Sequence, residues 1–133
     1  MKRRSPGLLF AVLSLLAFAV PVFAHHSISA EFDATKEYTV SGVLKGVMWI
    51  NPHIVTLVDV TDPKTGKTVE FQFQGGGPAS YHRDGLYKED WVVGEAVTCT
   101  YIAAKDGTRN LGFLEMLKYK KTGRVLVFRH GGQ

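Results

Sequence analysis

Histidine is the residue type here with the widest chemical range, and all five copies follow residue 24: His25, His26, His53, His82 and His130. Their placement matters more than their number. If the chain is cut after Ala24, His25 becomes the first residue, and its α-amine and imidazole can chelate one metal ion together. Both nitrogens are available as donors around neutral pH. Such ligands suit Cu(II), Ni(II) or Zn(II), with copper favoured by the usual affinity order. His26 adds a further donor. His53 is the best distant candidate, because Pro52 stiffens the Asn51-Pro52-His53 approach at a strand junction. An N-terminal histidine clamp completed by His53 would resemble the copper arrangement called a histidine brace. The plainer reading makes His25 and His26 a solvent-exposed start and His53 a hydrogen-bonded turn residue.

The clamp depends on processing, and the start of the chain supplies the signal for it. Lys2, Arg3 and Arg4 precede an apolar run from Leu8 to Val20, followed by Pro21-Val22-Phe23-Ala24. A basic start, a short apolar core and small residues at a cut point form the layout of a secretory signal peptide. The run is well short of the roughly 20 residues that a membrane-spanning helix needs. Residues 1–24 are therefore expected to leave, giving a periplasmic or secreted product with no stable membrane insertion after processing.

Processing also changes the charge. The whole chain holds 16 basic and 12 acidic side chains, and the three basic residues of the leader depart with it. The remainder is nearly balanced, with its basic residues dispersed apart from Lys118, Lys120, Lys121 and Arg124, which read as a solvated turn. Nucleic acid needs a basic face with aromatic platforms, so it is not an expected partner. Cys99 stands alone, excluding an intramolecular disulfide, and its place between Val97 and Tyr101 makes it a small buried hydrophobe. No catalytic residue is assigned. Ser27 beside His26 has no strained elbow to present it to a base, and Gly75-Gly76-Gly77 lacks the Lys-Ser/Thr ending of a phosphate loop.

The elements that must position these residues are strands. After an extended N-terminal arm over residues 25–38, strands are expected from Tyr38 to Trp49, from Ile54 to Val60, and around Val69, Phe71 and Phe73, whose alternation with polar residues marks a half-buried strand. Gly42 and Gly46 allow coiling or a bulge in the first. The triple glycine reads as a flexible connector into a short helix from Pro78 to Leu86, with Pro78 in the first turn. Strand then resumes at Trp91 to Val93 and Val97 to Ala103, Leu111 to Lys118, and Arg124 to Arg129. The expected fold is all-β: a small antiparallel, partly closed barrel of five to six strands, like the oligonucleotide/oligosaccharide-binding (OB) fold, with one short helix between strands three and four. It spans residues 39–129 as a single domain, and 130–133 form a flexible tail holding His130.

Phe23-Ala24-His25-His26-Ser27, Glu31-Phe32-Asp33, Thr39-Val40-Ser41-Gly42-Val43, Trp49-Ile50-Asn51-Pro52-His53 and Val93-Gly94-Glu95-Ala96-Val97-Thr98, in that order, resemble the DUF6152 family of small exported bacterial proteins. The resemblance spans most of the chain after the leader. It implies export and a small β-rich domain, and no activity, substrate or cofactor. The chain departs from the family pattern at Gly75 to Trp91, where Gly-Gly-Gly-Pro-Ala-Ser-Tyr-His-Arg replaces a Pro-x-Ala-Leu helix and a Gly-Trp pair.

Two functional expectations follow. One is an exported binding protein that takes copper or another transition metal at His25, His26 and His53. The other is a metal-independent binding or structural module of the bacterial envelope, recognising a small molecule, a glycan or a protein through Trp49, Asn51, Tyr81 and Trp91. The alternative for these four residues is packing, the commoner use of a tryptophan at a strand end such as Trp49, and His82 reads as a surface residue of its short helix.

Overall fold

In the computed structural model the described residues are 27–128. The leader expected at 1–24, His25, His26 and the tail at 130–133 lie outside them. A four-residue helix α1 (Ile28–Glu31) leads directly into strand β1 (Phe32–Met48). Strands β2 (Val55–Thr61) and β3 (Thr68–Gln74) complete a meander. Helix α2 (Pro78–Arg83) and a 3-10 turn (Lys88–Asp90) then lead to β4 (Ala96–Ala104), β5 (Leu111–Tyr119) and the short β6 (Val125–Val127).

The pairings run β3-β2-β1-β4-β5-β6, and a parallel β3–β5 pairing closes the first five strands into a barrel. β6 is an added strand on the outer side of β5. A closed five-stranded barrel with a helix between the third and fourth strands is the expected OB-like topology. The long strand β1 is shared between the two halves of the barrel. It pairs with β2 through Val43 to Met48 and with β4 through Glu37 to Val43. Its register against β2 shifts between Leu44 and Gly46, so the expected bulge is present. A bulge bends and twists its strand, which lets β1 serve both halves of the barrel.

The core follows from alternation. Leu44, Val58, Phe73, Val97, Cys99, Leu114, Leu117 and Leu126 point inward and are buried. A smaller cluster of Phe32, Ile102 and Phe113 fills one end, with the Phe32 and Phe113 rings 5.8 Å apart.

Several boundaries differ from the expected ones. β1 begins at Phe32 rather than Tyr38, because Phe32 is anchored in this end cluster and pairs with Ala104. The expected arm is therefore partly strand. Trp91 to Val93 is not a strand: Trp91 N–H closes the 3-10 turn onto Lys88 O, and its ring is buried. Nor is the triple glycine a loose connector. Gly75 is buried, and a Cβ there would collide with the Tyr81 hydroxyl.

Candidate functional site

The loop from Trp49 to Ile54 joins β1 to β2 at one end of the barrel, and His53 is its chemically useful member. Two backbone bonds lock the loop's exit to the glycine segment after β3. Ile54 N–H donates to Gly76 O at 3.0 Å, and Gly75 N–H donates to Ile54 O at 2.9 Å. The loop and the glycine segment lie so close that a Cβ on Gly77 would come within 2.8 Å of Pro52 O. Small residues at 75–77 are thus required by close approach, of the Tyr81 ring to Gly75 and Gly76 and of the Pro52 backbone to Gly77, a signal readable as packing as well as flexibility.

His53 is exposed, and its Nδ1 lies 3.1 Å from Gly75 O. A carbonyl only accepts, so Nδ1 carries the proton and donates. In the neutral ring this leaves the Nε2 lone pair free. A backbone carbonyl on one ring nitrogen is the support that metal-binding histidines ordinarily have, since it sets both tautomer and ring orientation. The role of Gly75 O is not visible in the sequence, because residues 53 and 75 meet only through strand pairing.

The foot of the N-terminal arm borders the same end of β3. Lys105 N–H donates to Glu31 O at 2.9 Å, and Lys105 Nζ to Ser29 O at 2.6 Å, tying α1 to the β4–β5 turn. A cleft of about 540 Å³ opens between Ala30, Glu31, Phe32, Gln74, Lys105 and Asp106. Gln74 immediately precedes the glycine whose carbonyl holds His53.

The aromatic residues behave differently. Tyr81 and Trp91 are 1% and 4% exposed and stack at 5.9 Å, with Phe128 against both. Trp91 Nε1 donates to Thr56 Oγ1 at 2.8 Å inside the core, and burial pushes the Tyr81 phenol up to about 12. Trp49 is half-buried over this stack, 5.3 Å from Trp91 and 6.1 Å from Tyr81. Its ring also meets His82 at 5.7 Å, and His82 in turn stacks on Tyr87 at 5.2 Å. Tyr81 and Trp91 are therefore packing residues that anchor α2, while Asn51 and His82 are exposed.

Among the described residues no group of three or more His, Cys, Asp or Glu is placed to hold a metal ion. His25 and His26 lie outside those residues. No helix among the described residues is long and apolar enough to cross a membrane.

Compared with known proteins, residues 12–113 match the model of a family of unknown function, DUF6152. Neither curated proteins nor solved structures gave a match.

Proposed function

The chain belongs to the DUF6152 family, and from that premise we propose that it is an exported binding protein for a transition metal ion, Cu(II) first, held by His25 as the processed N-terminus together with His26 and His53. The observation that carries this reading is the His53 ring, exposed and oriented by Gly75 O, with Nε2 left to accept a metal. Residues 28–31 are helical, so the span that carries the other donors is the three residues from Ile28 back to His25, an extended reach of roughly 10 Å, and Glu31 at the end of the helix shares its cleft with Gln74, next to Gly75.

In this arrangement His25 supplies two nitrogens from one residue, so chelation requires the free α-amine. Isothermal titration of Cu(II) into protein beginning at His25 is expected to show one-to-one binding. A form retaining Ala24 before His25 should bind at least tenfold more weakly, and so should His53→Ala. Equal, weak binding in all three forms would dismiss the proposal.

A second reading, a small polar envelope ligand such as a glycan, draws on a cleft of about 630 Å³ lined by Thr39, Ser41, Asp59, Thr61, Asp62 and Lys120. Hydroxyls and carboxylates suit sugar hydroxyls. Under that reading binding is independent of metal and falls on Ser41→Val, with His53→Ala neutral.

A further inference from the structure

Among the described residues β6 is an edge strand, paired on one side only. Phe128 N–H donates to Glu115 O and Tyr119 N–H to Arg124 O, both at 2.9 Å, so residues 124 and 128 face β5. By the alternation of an antiparallel ladder Leu126 faces β5 too, and the N–H and C=O groups of Val125 and Val127 point away from it. Among the described residues no backbone hydrogen bond reaches those four groups. The side chains above them are also uncovered, Val125 being 42% and Val127 57% exposed. A cleft of about 490 Å³ runs along this edge, walled on its far side by Arg83, Asp84 and Leu86.

Charge indicates what would fit. From Met116 to Phe128 the sequence holds Lys118, Lys120, Lys121 and Arg124 and no acidic residue. Arg124 is paired with Asp90. Lys118 lies directly across from Val125 and so shares its outer face, and Lys120 and Lys121 lie in the adjoining turn. The edge thus combines unpaired backbone, two bare β-branched side chains and unneutralised positive charge at one end. Edge strands left in this state accept an added strand.

We propose that β6 is a docking edge for an extended segment of another protein, one with β-branched residues at alternate positions and acidic residues at the end that meets Lys118, Lys120 and Lys121. The segment pairs with Val125 and Val127 through main-chain hydrogen bonds, while the acidic end sets its direction. A second copy of this chain is a poor occupant, because no residue from Met116 to Phe128 is acidic and so its β6 offers nothing to neutralise these lysines.

The test uses processed protein and a synthetic capped peptide, Asp-Glu-Val-Thr-Val-Thr-Val, followed by amide NMR. Saturable shifts centred on Val125 and Val127 are expected. Binding should weaken at least tenfold when the acidic pair is replaced by Lys-Lys, when alternate peptide amides are N-methylated, or in the Val127→Pro protein. That substitution deletes only an outward-facing N–H, which edge strands tolerate. Absence of shifts at millimolar peptide, equal binding of the acidic and basic peptides, or sedimentation showing a dimer dissociated by Val127→Pro would each overturn it.

Discussion

Thr56 is the only buried polar residue among the described ones, and its hydroxyl accepts the Trp91 indole N–H. Thr56→Val keeps the shape and leaves that buried donor unsatisfied, which costs about 1–3 kcal/mol. Urea unfolding should show a lower midpoint with an unchanged slope. An unaltered midpoint would mean that the indole finds another acceptor. Cys99 offers a second test at this scale. Burial pushes its thiol up to about 12 from an ordinary 9.0, so the folded state holds the proton more tightly than the unfolded one. The resulting stability is complete below pH 9 and is lost as pH rises towards 12. Ellman's reagent at pH 8 should therefore react with Cys99 only as fast as the protein opens, and Cys99→Ala should flatten part of the alkaline decline in stability. Rapid reaction of native protein would contradict the burial.

At the scale of elements, the barrel is closed by the β3–β5 seam, where Gln72, Phe73 and Gln74 pair with Leu111, Gly112 and Phe113. Gly112 is buried between strands, and a Cβ there would strike the Tyr101 ring and come within 2.8 Å of Ile102 O. Asn110, in the left-handed region at φ 58°, turns the chain into this seam and accepts the Gln72 N–H at 2.8 Å. Gly112→Val should cost about 1–3 kcal/mol through overpacking and selectively speed hydrogen exchange at the Gln72 amide. Uniform change across all strands would argue that the seam does not open by itself. The seam was only partly legible beforehand. The Val69-Phe71-Phe73 alternation marks a strand, but nothing local in it says that its free edge will meet β5 in parallel. The first strand was likewise begun too late, since residues 33 to 36 are polar or exposed and are held between Phe32, docked on Phe113, and the pairing with β4 that resumes at Glu37.

For the whole molecule, one closed barrel with a continuous core predicts a single cooperative transition, with near-UV and far-UV signals superimposing. If the proposed metal site exists, Cu(II) at about a hundredfold excess over Kd should stabilise protein beginning at His25 by about 2.7 kcal/mol, and should do markedly less for a form retaining Ala24. Calorimetric scans of the two forms check this directly. The amino-acid pattern alone determined the strand content, the helix between strands three and four, the barrel class and the buried state of Cys99, because each is written in local alternation, turn residues and spacing. Tertiary structure decided what the aromatic and glycine residues are for. Tyr81 and Trp91 form core instead of a ligand face, and Gly75 gives up its side chain so that Tyr81 can pack and its carbonyl can hold His53. Those roles rest on contacts from six positions apart, Gly75 with Tyr81, to 47, Tyr81 with Phe128, and only pairing of β2 with β3 and docking of α2 bring them within reach.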